Sequence, residues 1–249
     1  MKIILSGLAL LASSVAAFAP QSIISANANN KNANVVLEAA KDDLIAIAEK
    51  SNPVLKYYDP LQLGSTTIWG ETNSATIGFL RQSEIKHGRI AMAAFVGYIV
   101  QANGIHFPWP MSFDGTPFPA DAGSPPEQWD ALSDAAKWQI ILFIGFLEWF
   151  SEAAGKHYMR GGKPGAFPNF SDSDLIPHPV PLNLYDPFGF SKGKTEAQKA
   201  DGLIKELNNG RLAMIGIMGF LAEQKVEGSV PLLKGVVPHY DGEVMAPFM

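Results

Sequence analysis

The sequence predicts an all-α membrane protein with three transmembrane helices, in which the first and third helices cross and are related by an internal repeat. The repeat is the first observation: one nine-residue pattern occurs as Glu84–Met92 and again as Glu206–Met214. The second observation is that residues 90–113 and 212–222 contain no Asp, Glu, Lys or Arg. Uncharged runs headed by a few fixed charges are typical of membrane segments, where charges are rare and need partners.

Hydropathy alone is a weaker guide to this chain. Its 249 residues, 47% hydrophobic content and net charge of −5 also fit one soluble domain of ordinary size. The uncharged runs at residues 138–147 and 212–222 are shorter than the roughly 18 residues that a simple hydropathy rule asks of a spanning helix. A hydropathy window is therefore expected to miss the helices, and the membrane prediction depends on whether the intervening charges have partners.

Within one copy of the repeat, the glutamate and the arginine cannot form an ion pair with each other. On a helix, Glu84 and Arg89 are five residues apart and point roughly 140° away from each other. Two crossing helices can neutralise both copies if Glu84 pairs with Arg211 and Glu206 pairs with Arg89. The sequence therefore predicts two reciprocal ion pairs between the first and third helices.

A glycine precedes the arginine of each copy, at Gly88 and Gly210. Small residues let two helix backbones approach closely, as interfaces between membrane helices prefer. The alternative is two solvated helices with ordinary surface charges. The uncharged runs after the charges favour the membrane interpretation.

The first residues are predicted to be targeting segments rather than part of the fold. Residues 1–17 have a charged, an apolar and a small-residue region in the order of a signal peptide, and a single anchor helix would need a longer apolar run. Phe18-Ala-Pro20 resembles the plastid-targeting signature of algae with red-derived plastids. Residues 18–36 are therefore predicted to be a plastid transit segment, and residues 37–249 to be the mature domain.

Capping residues and prolines divide the mature domain. Ser133 is a predicted N-cap for the middle helix, and Thr195-Glu-Ala-Gln198 fits a capping box for the third. Prolines from Pro108 to Pro126 predict a non-helical connector before the middle helix. The three helices are predicted at about residues 75–103, 134–159 and 196–225.

Three further motifs carry a family resemblance. Tyr58-Asp-Pro-Leu-Gln-Leu-Gly64 precedes the first copy of the repeat and Tyr185-Asp-Pro-Phe-Gly-Phe190 precedes the second. Together with the repeat they resemble the chlorophyll-binding light-harvesting superfamily over most of the chain. The segment His157-Tyr-Met-Arg-Gly-Gly-Lys-Pro-Gly165 is similar to the fucoxanthin chlorophyll a/c branch of that family.

The resemblance implies a set of chlorophyll ligands. The central magnesium of chlorophyll is a hard ion that takes an oxygen or imidazole nitrogen from the protein. By resemblance, Glu84 and His87 on the first helix and Glu206 and Asn209 on the third match the family's ligands. Arg89 and Arg211 would then compensate the charges of the two ligating carboxylates.

Further ligands implied by the resemblance vary more in position. Many family members have Gln seventeen residues after the second glutamate, where this chain has Glu223 followed by Gln224, and either could ligate. The charge of Glu223 has no assigned arginine. On the middle helix, Gln139 and Glu148 are preferred over Glu152.

Three loop residues have two interpretations each. His239 lies where some family members have a last chlorophyll ligand, but it could equally be an exposed loop histidine. Asp59 and Asp186 could form turns, or could make polar contacts near the head groups of two carotenoids.

The resemblance implies a light-harvesting antenna of the plastid thylakoid membrane rather than an enzyme. It would bind chlorophyll a, chlorophyll c, fucoxanthin and diadinoxanthin or a related carotenoid. Its expected partners are membrane lipids, other antenna subunits and a photosystem core, with photosystem I preferred over photosystem II from residues 226–249. A photoprotective family member and, from another class, a small transporter are the alternatives. No phosphate loop, zinc signature, nucleophile elbow or cysteine occurs, and no basic face indicates nucleic acid.

Overall fold

The computed structural model describes the backbone from residue 33 and side chains from residue 41 onward. The described residues are 33–119, 122–173, 175, 183–190, 193–244 and 246–248. The predicted signal peptide, and the predicted transit segment up to residue 32, lie outside them. Every regular element in the described ranges is helical, which confirms the all-α prediction for this part of the chain.

Five α-helices make up this described part, and their bounds are α1 Ala33–Ser51, α2 Asn73–Ala102, α3 Pro125–Asp130, α4 Asp134–Ala153 and α5 Glu196–Lys225. Helix α5 has the predicted bounds, and α2 begins two residues before the predicted start. The predicted capping box at α5 is confirmed, because the Thr195 N–H donates to Gln198 Oε1 and the Gln198 N–H donates to Thr195 Oγ1. The sequence is therefore a good guide to helix starts.

The predicted end of the middle helix at Met159 is wrong, because α4 ends at Ala153. Gly155 follows with φ of +78°, a left-handed conformation that glycine adopts without strain and that commonly ends a helix. A separate 3₁₀ turn, Tyr158–Arg160, comes next. Its N-terminal residue His157 is extended, and the His157 side chain accepts a hydrogen bond from the Met159 N–H.

The prediction of an entirely non-helical connector before the middle helix is also wrong. The short helix α3 begins directly after Ser124, whose backbone N–H donates to Glu127 Oε2 at 2.6 Å. Pro125 and Pro126 occupy the first helical positions, where a missing N–H costs no intrahelical hydrogen bond. The prolines thus start a helix here instead of preventing one.

The described residues fall into two compact units that share the long helices. Among the described residues, we call those within 33–89 and 148–211 the ion-pair unit, and those within 90–147 and 212–248 the Tyr98 unit. By hydropathy, no helix of the described residues is both long and apolar enough to cross a membrane.

The Tyr98 unit is organised around an aromatic stack. Phe220 of α5 stacks on Phe95 and Tyr98 of α2, with ring centroids 5.0 and 4.9 Å away. The Tyr98 hydroxyl donates to Gln224 Oε1 at 2.6 Å. Tyr240 closes the unit from the C-terminal segment, because its N–H donates to the Gln224 carbonyl.

The ion-pair unit places two segments against the long helices. The C-terminal end of α1 is held on α5, where the Asn208 side chain donates to the Ser51 carbonyl at 3.0 Å. The segment after α4 packs on α2 at Gly78, where a Cβ atom would lie only 2.7 Å from the Tyr158 carbonyl oxygen. Both segments therefore lie close to the part of α2 and α5 that carries the charged residues of the repeat.

Candidate functional site

The centre of the ion-pair unit contains the two reciprocal ion pairs that the sequence predicts. Arg89 Nε lies 2.6 Å from Glu206 Oε1, and Arg211 Nε lies 2.7 Å from Glu84 Oε1. Each pair joins α2 to α5. The prediction that each glutamate finds its arginine on the other helix is confirmed.

Gly88 and Gly210 make this arrangement possible. A Cβ atom on Gly88 would lie 3.1 Å from the Gly210 Cα, and a Cβ atom on Gly210 would lie 2.9 Å from the Gly88 Cα. Any larger residue would push the two backbones apart. The predicted close approach at these glycines is confirmed.

The two pairs differ in how deeply they are buried and in how the arginine is anchored. The Glu206 side chain is 5% exposed, whereas that of Glu84 is 33% exposed. Arg89 Nη1 also donates to the Gly165 carbonyl at 2.6 Å, while Arg211 Nη1 reaches Ser51 Oγ at 3.4 Å. The Glu206 site is thus the more enclosed and the more firmly held of the two.

One oxygen of Glu206 is left without a partner. Glu206 Oε1 binds Arg89, but Oε2 is buried and accepts no hydrogen bond from any described residue. A buried, unpaired carboxylate oxygen is costly, and the desolvation of the charge is only partly offset by one arginine. A hard cation bound at Oε2 would complete the compensation.

The residues three positions after each glutamate also present unused ligand atoms. His87 is exposed, and its Nδ1 lies 2.7 Å from the Ser83 carbonyl oxygen. Because a carbonyl only accepts, Nδ1 is the donor in this contact, and in the neutral imidazole Nε2 then offers a lone pair. The half-buried Asn209 amide makes no hydrogen bond to the described part of the chain.

The middle helix contributes carboxylates that a lysine of α2 holds. Lys86 Nζ lies 2.6 Å from Glu148 Oε2, 3.1 Å from Ser151 Oγ and 3.2 Å from Glu152 Oε1. His157 Nε2 lies 2.8 Å from Glu152 Oε2. Sequence reasoning missed the role of Lys86, although its place between Glu84 and His87 was a usable signal.

Comparisons with known proteins show the family to which this chain belongs. Residues 47–225 match the model of the chlorophyll A-B binding protein family. The chain belongs to the chlorophyll a-b binding protein family. Its members are light-harvesting pigment-binding proteins, so the protein is not an enzyme.

Individual relatives cover most of the chain. The "Fucoxanthin-chlorophyll a-c binding protein, chloroplastic" of Trieres chinensis is 33% identical over 233 residues, which are 90% of this chain and 96% of the relative. The "Fucoxanthin-chlorophyll a-c binding protein F, chloroplastic" of Phaeodactylum tricornutum is 36% identical over 71% of this chain and 77% of the relative. The "Light-harvesting complex stress-related protein 1, chloroplastic" of Chlamydomonas reinhardtii is 31% identical over 66% of this chain and 60% of the relative.

Glu223 and Gln224, two further residues expected to bind chlorophyll in this family member, already accept hydrogen bonds through their side-chain oxygens. Glu223 is buried, and its two oxygens accept from the N–H groups of Gly228 and Val230, each at 2.8 Å. Those donors balance the charge for which the sequence offers no arginine. Gln224 Oε1 accepts from Tyr98, and its buried Nε2 has no partner in the described residues.

The remaining expected ligands are exposed. Gln139 lies on α4 beside a cavity of about 410 Å³ in the Tyr98 unit, which Gln101 and Trp129 also line. His239 is exposed, and its Nε2 lies 2.8 Å from Asp241 Oδ1.

The two Tyr-Asp-Pro loops share a pattern of two hydrogen bonds, although the aspartate itself has a positive φ, +45°, only in the second loop. Asp59 Oδ1 accepts from the Leu63 N–H and Asp186 Oδ1 accepts from the Phe190 N–H, four residues later in both loops. The residue three after each aspartate has a positive φ and donates its N–H to the aspartate carbonyl. Both aspartates therefore form turns, as the first of the two interpretations predicts.

Hydrogen bonding in the first loop also stabilises the ionised form of its aspartate. The Gly64 N–H donates to Asp59 Oδ2 at 2.8 Å, and the Tyr57 hydroxyl donates to the same oxygen. These donors, with the Gly64 N–H the largest contributor, hold the pKa of Asp59 below its ordinary value.

Proposed function

We propose that the protein is a light-harvesting antenna that binds chlorophyll a, chlorophyll c, fucoxanthin and a diadinoxanthin-type carotenoid. The observation that carries the proposal is the buried, unpartnered Glu206 Oε2 beside Arg89. The names of the Trieres and Phaeodactylum relatives, which specify fucoxanthin and chlorophylls a and c, support the choice of pigments.

The residues of the repeat fit chlorophyll well. Glu84 and Glu206 each offer a carboxylate oxygen whose charge is compensated by an arginine, His87 offers Nε2 and Asn209 offers an amide oxygen. A bound chlorophyll would supply a magnesium ion, for which these residues offer oxygen and nitrogen ligands, and a conjugated ring that absorbs light. These four residues are the proposed primary ligands.

The secondary ligands differ in how many of their ligand atoms already have contacts. Glu148 contacts Lys86 through Oε2 alone, whereas Glu152 contacts Lys86 and His157 through both of its oxygens. His239 contacts Asp241 through Nε2. Gln139, Glu148, Glu152 and His239 remain proposed magnesium ligands, with Gln139 and Glu148 preferred on the middle helix. Glu223 and Gln224 rank lower because their oxygens accept hydrogen bonds from other groups.

The carotenoid sites are proposed at the two Tyr-Asp-Pro loops. Asp59 and Asp186 accept the same pair of hydrogen bonds in these loops, and each loop carries an exposed apolar side chain two residues after the aspartate. Leu61 is 75% exposed and Phe188 is 78% exposed. Such paired apolar positions suit the ends of long apolar pigments.

Helices α2, α4 and α5 are proposed to span the thylakoid membrane, with α2 and α5 crossing at Gly88 and Gly210. Helices α2 and α5 have 30 residues each, which correspond to about 45 Å. Helix α4 has 20 residues, or about 30 Å, and exposes a series of large apolar side chains that includes Leu142 and Phe143. The ion pairs compensate the charges that would otherwise be costly in lipid.

The targeting and domain assignments complete the proposal. Residues 1–17 are proposed to be a signal peptide, residues 18–36 a plastid transit segment and residues 37–249 the light-harvesting domain. The relatives are named chloroplastic, which supports a plastid location. A photosystem core, with photosystem I preferred, other antenna subunits and membrane lipids are the proposed partners.

A photoprotective role is the second candidate. It is favoured by the similarity to the light-harvesting complex stress-related protein of Chlamydomonas reinhardtii. In that case the same pigment ligands would hold chlorophylls whose excitation is dissipated as heat instead of being passed to a photosystem.

Purification in mild detergent with pigment extraction and fluorescence excitation spectroscopy tests both candidates. An antenna co-purifies with chlorophyll a, chlorophyll c and fucoxanthin, and light absorbed by fucoxanthin excites chlorophyll a emission with a long lifetime. A short chlorophyll lifetime that persists in the isolated protein would favour the photoprotective role. A stable protein without pigment would contradict both.

A further inference from the structure

Gln82 is a buried polar residue of α2 whose side-chain oxygen contacts the segment that follows α4. It is 6% exposed, and its Oε1 accepts a hydrogen bond from the Gly165 N–H at 2.6 Å. Gln82 and Arg89 are seven residues apart and so lie on the same face of α2. Arg89 donates to the carbonyl of the same glycine at 2.6 Å. Helix α2 therefore holds Gly165 by both its N–H and its C=O.

The position that Gln82 and Arg89 hold, residue 165, requires a glycine. Gly165 has φ of +80°, and a Cβ atom there would lie 3.0 Å from Ile85 Cγ2 and 3.1 Å from Ile85 Cδ1. The absence of a side chain lets the peptide group lie directly on the helix. The position of the Gly165 carbonyl is thus fixed by α2 itself.

The fixed carbonyl sets the orientation of the Arg89 guanidinium. Its Nε binds Glu206 Oε1 and its Nη1 binds Gly165, so a rigid, planar group is held at two points. Without the hydrogen bond to the Gly165 carbonyl, the guanidinium could turn until Nη2 also reached Glu206. A bidentate arginine–carboxylate pair would then consume Oε2, the oxygen proposed to bind magnesium.

We infer that Gln82 is a positioning residue for the Glu206 pigment site. By holding Gly165, it keeps Arg89 on one carboxylate oxygen and leaves the other available to a chlorophyll magnesium. The inference rests on the proposed function, because it concerns the same pigment site.

The second copy of the repeat has no residue in the role of Gln82. The position equivalent to Gln82, two residues before the glutamate, is Ile204. Arg211 is anchored there by the Ser51 hydroxyl at 3.4 Å instead of a clamped carbonyl. The effect of Gln82 is therefore confined to the Glu206 site, and Ile204 provides a matched control position.

Refolding of the full chain with a chlorophyll and carotenoid extract tests the inference. Gln82→Met, which keeps the size but removes the acceptor, is expected to lose one chlorophyll per protein, as Glu206→Ala does. Gln82→Glu, which keeps an acceptor, and Ile204→Met, the control, are expected to keep the wild-type pigment content. Hydrogen exchange at the Gly165 amide, measured without pigment, is expected to accelerate in Gln82→Met but not in Gln82→Glu.

The double variant Gln82→Met with Glu206→Ala separates positioning from folding. It is expected to lose no more chlorophyll than Glu206→Ala alone. Additional pigment loss in that background, or full pigment content in Gln82→Met, would overturn the inference. A wild-type protein that takes up no chlorophyll would instead contradict the proposed function.

Discussion

Gly88 and Gly210 face each other so closely that a Cβ atom on Gly210 would lie 2.9 Å from the Gly88 Cα. The ion pairs lie directly beside this contact, one residue after each glycine on the arginine side. The distance between the two backbones therefore determines whether the four charges can meet.

Gly210→Val is expected to separate α2 from α5 and to weaken both ion pairs. Overpacking of a tight contact typically costs about 1–3 kcal/mol, and a β-branched residue cannot turn its side chain away easily. Thermal unfolding followed by circular dichroism measures the loss. The control is Gly97→Ala on α2, where, beyond the helix's own adjacent backbone, no atom of the described residues lies within 4 Å of the added Cβ. Equal destabilisation by both substitutions would refute the close-contact explanation.

Arg89→Leu is expected to be more destabilising than Arg211→Leu. Both strand a glutamate, but Glu206 is almost fully buried whereas Glu84 is one-third exposed. Removal of the partner of a buried charge costs roughly 3–5 kcal/mol, and solvent reduces the cost for Glu84. Denaturant unfolding of the two variants gives the order.

Pigment content provides a second measurement for the same pair of variants. Each is expected to lose chlorophyll from the glutamate that it strands. Replacement of the stranded glutamate by Gln should restore part of the stability in each case. Normal chlorophyll content in Arg211→Leu would contradict the functional importance of the crossed pairs.

Glu223→Ala is expected to loosen the C-terminal segment without removing a chlorophyll. The substitution leaves the N–H groups of Gly228 and Val230 without their protein acceptor and so releases the turn that follows α5. Limited proteolysis after residue 225 and pigment analysis measure the two effects separately. Loss of one chlorophyll with an intact C-terminal segment would identify Glu223 as a ligand instead.

The Tyr-Asp-Pro loop before α2 is expected to lose stability in acid. The pKa of Asp59 is lowered in the folded protein, so its contribution is present above the unfolded pKa of about 4 and is lost as pH falls through the folded value. Hydrogen exchange at the Leu63 and Gly64 amides, corrected for intrinsic pH dependence, reports the loop. Asp59→Asn should remove this acid sensitivity. An unchanged pH profile in that variant would show that a group other than Asp59 causes the loss of stability.

Several features of the site could be predicted because they follow from local rules. The spacing of Glu84 and Arg89 excludes a pair on one helix, so the requirement for charge compensation led directly to the two interhelical pairs. The capping box at Thr195 placed the start of α5. The end of α4 was mispredicted because the left-handed conformation of Gly155 depends on how the following segment packs.

The sequence by itself determined the repeat, the choice of charge partners and the helix starts, because these depend on periodicity and on neutralising charge. Only the tertiary structure decided that the two copies differ. Gln82 and Gly165 are 83 positions apart, and their contact requires the segment after α4 to pack on α2. Lys86 likewise finds Glu148 on another helix. No local pattern encodes such contacts, because they depend on where distant segments meet once the helices have packed.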